Sequence, residues 1–134
     1  MSISFPFKDV FSPVFENIKR PVAKVELFNK KLNFWVPYTM VVDTGADYSL
    51  IPKHLTQMLN IDLKNDTRIV TTSGIGGETK VYLLKYNIKA KIGSFERSIV
   101  LGIIDNYHIP PILGRYTFLE TFKLTLENFI TTFS

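Results

Sequence analysis

Val41-Val42-Asp43-Thr44-Gly45-Ala46-Asp47 puts a carboxylate between the end of an apolar run and a glycine turn. Such a position is unusual, because taking an unpaired carboxylate out of water is costly. Val41 and Val42 read as buried, Thr44 supplies a hydroxyl, and Gly45 lets another backbone approach closely. Alone, Asp43-Thr44-Gly45 also reads as a solvated turn in which the aspartate caps its own backbone. Its meaning therefore depends on what surrounds it.

Upstream, Ala23, Val25 and Leu27 alternate with Lys24 and Glu26, the period of a half-buried strand. Asn29-Lys30-Lys31 makes a turn, residues 32–36 return antiparallel, and residues 39–42 form a short apolar strand leading into Asp43. Downstream, Pro52 at a first helical position and Leu55, Met58, Leu59 and Ile61 at helical spacing predict a short amphipathic helix. Residues 68–72 and 79–86 read as strands flanking Ser73-Gly74-Ile75-Gly76-Gly77, a composition suited to a hairpin tip. Strands are expected over 87–92 and 97–104, a second short helix over 114–121, and a last alternating strand over 123–129. Many short strands and little helix predict an all-β (mainly β) barrel-like domain. Residues 1–20 spread Phe5, Phe7, Phe11 and Phe15 among prolines and charges without a period, so they read as an arm, with the domain over 21–134.

Composition narrows the functions. A chain of 134 residues is one domain by size, and 46% hydrophobic with 21% charged residues excludes a disordered or collagen-like chain. Sixteen Lys and Arg face twelve Asp and Glu, but no basic run exceeds Lys30-Lys31, so no nucleic-acid partner is expected. The absence of cysteine removes disulfides, thiolate nucleophiles and Cys-ligated zinc. His54 and His108 are the only histidines, and neither a His-Glu-x-x-His nor a Gly-x-Ser-x-Gly sequence occurs. Metalloprotease and serine-hydrolase readings thus lack their parts, no Gly-Lys-[Ser/Thr] supports a phosphate loop, and no metal or cofactor is expected. No secretory signal is readable over residues 2–10, and the apolar run at 99–104 falls well short of the roughly 18 residues that span a bilayer. A soluble, by default cytoplasmic, protein is the expectation.

Three blocks occur in a fixed order: Val41 to Asp47, then Gly74-Ile75-Gly76-Gly77, then Ile112-Leu113-Gly114-Arg115 followed by Lys123-Leu124-Thr125-Leu126-Glu127-Asn128-Phe129. Together they resemble the retropepsins, single-domain aspartic proteases of retroviruses and their cellular and bacterial relatives, over residues 21–129. The resemblance implies a closed β-barrel with one or two short helices, working as a homodimer in which the Asp-Thr-Gly loops meet at the two-fold axis. It makes Asp43, Thr44 and Gly45 catalytic. One Asp43 would act as general base on water while its protonated counterpart donates to the scissile carbonyl. Thr44 would bond across the dimer beneath the carboxylates.

The same resemblance places Ala46 and Asp47 against substrate, with Arg115 buttressing Asp47 as a partly buried bidentate pair after Gly114. It makes Gly74, Ile75, Gly76 and Gly77 the tip of a flap that closes over an extended peptide or protein substrate. The terminal strand over 123–129 would interleave with its copy. Two features depart from the compact viral chains: a longer interval between Asp43 and the glycine tip, as in the non-viral relatives, and the arm, which could pack on the barrel, swap onto the partner or act as a removable pro-segment. The rival reading is a catalytically silent or latent module that keeps the fold for dimerisation or peptide binding.

Overall fold

The alternation that begins at Ala23 is realised as the centre of a large sheet, and the rest of the chain is arranged around it. The computed structural model describes residues 1–74 and 77–134. Its strands are β1 (Ile3–Pro6), β2 (Lys8–Ser12), β3 (Glu16–Arg20), β4 (Val22–Asn29), β5 (Phe34–Val42), β6 (Ser49–Pro52), β7 (Thr67–Gly74), β8 (Gly77–Leu84), β9 (Ile88–Ile92), β10 (Phe95–Ile99), β11 (Leu101–Ile104), β12 (Ile112–Leu113), β13 (Leu124–Glu127) and β14 (Ile130–Phe133). The one α-helix among the described residues, α1, spans only Leu63–Asp66. The fold is mainly β, as the pattern predicts.

Nine strands pair in the order β10-β9-β4-β5-β12-β6-β11-β8-β7. In β4, Ala23, Val25 and Leu27 are buried and Lys24 is exposed; opposite them in β5, Val36, Tyr38, Met40 and Val42 are buried. These two facing rows, with Ile88, Ala90 and Ile92 of β9 and Ile99, Leu101 and Ile103, make the core. All four residues of β11 are buried, as suits a strand with neighbours on both edges and cover on both faces. Asn29 is buried without penalty because its amide donates to Met58 O and Asn60 Oδ1 while its own oxygen accepts from Leu32 N.

A second sheet, β1-β14-β13, carries both ends of the chain, and β2 and β3 pair only with each other. Phe5 and Phe133 meet edge to face, with Phe133 also against Phe118 and Phe122.

Several local expectations are corrected. Residues 1–20 are not irregular: β1 pairs Ile3 with Phe133 through Pro6 with Ile130, and β2–β3 is a hairpin turning at residues 13–15. Periodicity missed them because the strands are short, β1 depends on a partner at the far end of the chain, and β2 and β3 leave most of their residues exposed on both faces. Residues 32–42 hold one strand, not two, since Pro37 sits in β5 opposite Glu26. The expected helix after Pro52 is two 3-10 turns, Lys53–Leu55 and Gln57–Leu59, without side-chain N-caps and closed by Asn60 in the left-handed region at φ 52°. The expected helix over 114–121 shrinks to a 3-10 turn at Leu119–Thr121, because Thr117 at φ 65° interrupts the helical run. The strand expected over 97–104 breaks at Val100, whose N–H donates to Thr117 Oγ1. The last strand stops at Glu127 and reverses through Asn128 and Phe129, at φ 53° and 61°, into β14. Two consecutive positive φ values are those of a type I′ hairpin turn.

Candidate active site

Asp43 leaves the end of β5 and Ser49 begins β6, yet these two strands are not neighbours: β12 lies between them. Ile112 and Leu113 run parallel to Val41 and Val42 on one side, and Ile112 pairs antiparallel with Leu50 on the other. The loop over 43–48 must therefore cross the end of β12. Its main chain is tied down there at Asp43, Ala46 and Asp47. Asp43 N donates to Leu113 O at 3.0 Å, Arg115 N to Ala46 O at 3.0 Å, and Tyr116 N to Asp47 O at 2.7 Å. Val41 N and Val42 N reach Pro111 O and Pro21 O, extending the anchorage into the strand.

Within the loop, Gly45 N donates to the Asp43 carboxylate at 2.9 Å, and Ala46 N donates to Asp43 O at 3.2 Å. A Cβ at position 45 would stand 3.3 Å from Asp43 Oδ1, so the glycine leaves that oxygen uncrowded. Asp43 is half-buried, Thr44 and Gly45 are exposed, Ala46 is half-buried and Asp47 exposed. The loop thus holds one carboxylate at a fixed place, with its neighbours open to solvent.

Gly114 is where the crossing is tightest. A Cβ there would land on the backbone of Tyr48. Its N–H donates to the buried Ser49 hydroxyl at 3.0 Å, which satisfies an amide that the crossing would otherwise strand. Ser49 and Tyr48 were not singled out by sequence. A serine and a tyrosine after an Asp-Thr-Gly turn carry no signal until β12 is seen threading beneath them.

Asp47 and Arg115 do meet, Nη2 to Oδ1 at 2.9 Å, but not as the partly buried bidentate pair expected. One hydrogen bond joins two largely exposed side chains, at 81% and 50% exposure, because both sit on the outer side of the crossing where water competes. Pairs of this kind contribute at most about 1 kcal/mol. The backbone of Arg115 does more for the loop than its charge.

Of the expected flap residues, Ile75 and Gly76 lie outside the described residues. Gly74 and Gly77 end β7 and begin β8 and face each other in the ladder, and Gly77 has φ 101°, a conformation that favours glycine. A groove of about 440 Å³ runs between β8 and the 104–109 segment, lined by Lys80, Tyr82, Ile104 and Ile109 among others. A second, of about 370 Å³, lies where His54 stacks on Tyr107 at 4.2 Å. Asp43 lines neither. Among the described residues no group of His, Asp and Glu is arranged to hold a metal ion.

Residues 24–117 match the model of a family described as aspartyl protease. Among solved structures the chain is similar to a retropepsin-like aspartic protease from Rickettsia conorii, at 21% identity over 98% of this chain and 98% of that one, with a TM-score of 0.68. At that identity the likeness carries the fold, which is retropepsin-like. No curated protein matches the chain.

Proposed function

Because the chain belongs to the aspartyl protease family, we propose that it is an aspartic endopeptidase acting as a homodimer on extended peptide segments. The single observation that supports this most directly is the anchorage of Asp43. A carboxylate whose own amide, following amides and opposite strand are all fixed is held ready to meet an equally fixed counterpart.

Aspartic protease chemistry needs two carboxylates, and the chain has one Asp-Thr-Gly. Symmetry supplies the second. Two Asp43 side chains about 3 Å apart cannot both ionise readily, so the pair holds one proton in common. The ionised member takes a proton from water, the water oxygen attacks the scissile carbonyl carbon, and the protonated member donates to the carbonyl oxygen. The pair, not either residue, owns the apparent pKa values.

In this reading Thr44 and Gly45 complete the catalytic loop, Ala46, Asp47 and the Gly74-Ile75-Gly76-Gly77 tip contact substrate, and Gly114 and Arg115 support the loop. Substrate lies along the strands through main-chain hydrogen bonds. Residues 21–134 form the protease domain, with residues 1–20 as its arm. The terminal sheet fits a dimer contact: among the described residues β13 has β14 on one side and no strand on the other, and Leu126, Phe129 and Ile130 are exposed around it.

The test is incubation of the full chain with a peptide library between pH 4 and 7. Cleavage is expected from the wild type, with specific activity falling on dilution as dimers separate, and a loss of at least about 1,000-fold in Asp43→Asn, which keeps the shape but removes the shared proton. Cleavage that survives in Asp43→Asn defeats the mechanism. A wild type that cleaves nothing favours the silent module.

A further inference from the structure

Among the described residues, the hairpin β7–β8 pairs with another strand only near its base. β7 is the last strand of the large sheet, and β8 pairs with β11 through Tyr82 and Leu83 alone. At the base, Thr67 Oγ1 donates to Leu63 O and Lys85 N donates to Asp66 O. From Thr71 and Lys80 outward the two strands pair only with each other, Thr72 opposite Thr79 and Gly74 opposite Gly77. A two-stranded ribbon projecting from a sheet has little stiffness of its own.

One side chain reaches this projecting half from the active-site loop. The Tyr48 hydroxyl lies 3.2 Å from Thr72 Oγ1, a hydroxyl–hydroxyl hydrogen bond in which either group can donate. The fold makes room for that reach. A Cβ at Gly102 would stand 2.8 Å from Tyr48 Cε2 and from Val81 Cγ1, so the ring edge crosses β11 at the one place without a side chain. At its other end the Tyr48 backbone lies over Gly114 and next to Asp47, whose carbonyl is bonded to Tyr116 N. The residue is thus fixed at its backbone, packed along its ring and bonded at its tip, five residues after Asp43.

We infer that Tyr48 is a positioning residue that braces the projecting half of the β7–β8 hairpin against the loop carrying Asp43, so that the two keep one relative orientation. Tyr48 takes no proton and touches no reacting atom in this role. The brace stands on the contacts just given; only its consequence for turnover rests on the proteolytic reading.

Amide hydrogen exchange of the full-length protein, read over residues 70–74 and 77–81, tests the brace without any substrate. Tyr48→Phe keeps the ring and Thr72→Val keeps the shape, so each removes the bond and little else. Exchange in that window is expected to quicken about three- to tenfold in each variant, the range that one lost hydrogen bond gives. The double variant should be no faster than either single one, Thr72→Ser should match the wild type, and β4 and β9 should be unchanged. Unchanged exchange in both single variants overturns the inference, and so does a double variant in which the two effects multiply. In the cleavage assay both variants should raise KM more than they lower kcat; equal loss in kcat with KM unmoved would count against the brace. If the wild type cleaves nothing, the exchange result still decides the brace while the proteolytic reading fails.

Discussion

The loop over 43–48 and the β2–β3 hairpin are both short reversals at the margin of the fold, and they are held by opposite means. The loop is bonded to residues about 70 positions away, at Leu113, Arg115 and Tyr116, and its neighbours Tyr48 and Ser49 are fitted to Gly114. The hairpin is bonded to itself, Lys8 with Arg20 through Ser12 with Glu16, and Phe11, Val14 and Phe15 around its turn are 76%, 75% and 69% exposed. Its firmest outside hold is at its root, where Phe7 N donates to Phe129 O and the two rings meet edge to face. Long-range main-chain anchorage fixes a side chain in space; a local ladder fixes only a shape. The proposed function, in which one carboxylate is presented to its copy, needs the first.

The largest way to break this contrast is Gly114→Ala. The added methyl meets the Tyr48 main chain, which has no rotamer to yield, so a loss of about 3 kcal/mol or more is expected in urea unfolding, with the loop over 43–48 displaced. A cost below about 1 kcal/mol would mean that β12 and the loop can separate freely. Ser49→Ala sharpens the same point at lower cost. It leaves the buried Gly114 amide without its acceptor and should destabilise by about 1–3 kcal/mol, whereas a neutral result would mean that another acceptor takes over.

The pair of Lys31 and Asp66 sits between the two extremes, joining the β4–β5 turn to α1 at 2.8 Å. The Lys31 ammonium, with the Asp62 amide behind it, holds the Asp66 carboxyl below the usual carboxylate range. A carboxyl depressed in the folded state contributes stability that is present above its ordinary pKa and is lost as pH falls through the folded value. Lys31→Ala should therefore lower stability at neutral pH modestly and leave the acid end little changed, which flattens the acid side of the profile; the effect is modest because Lys31 is exposed while Asp66 is half-buried. An unaltered acid limb would sink this assignment. Phe15→Ser in the hairpin should be the smallest effect, within about 0.5 kcal/mol by thermal unfolding of the isolated chain, since no core packing is lost.

Sequence made some of this legible and hid the rest for definite reasons. Strands β4 and β9 announce themselves because one face of each is buried and the other largely solvated, which writes the period into the residues. The three ordered blocks named the family before any coordinate. By contrast, β14 is concealed behind Asn128-Phe129, since phenylalanine is no signal for a left-handed turn position. β6 is concealed by Pro52, which reads as a helix start and is instead its last residue, opposite Ile104. The pairing of β1 cannot be read locally at all, because its partner lies some 130 residues away.

By itself, then, the sequence determined the class of fold, the family and the carboxylate on which the proposed chemistry turns, because burial periodicity and short motifs are local properties of the chain. Only the tertiary structure decided that β12 threads between the strands flanking that carboxylate, that Gly114 and Ser49 fit the crossing, that Arg115 works mainly through its main chain, and that Tyr48 reaches Thr72. Those contacts join residues separated by 24 to about 70 positions. No composition or spacing encodes them, since each depends on where folding has already placed the other partner.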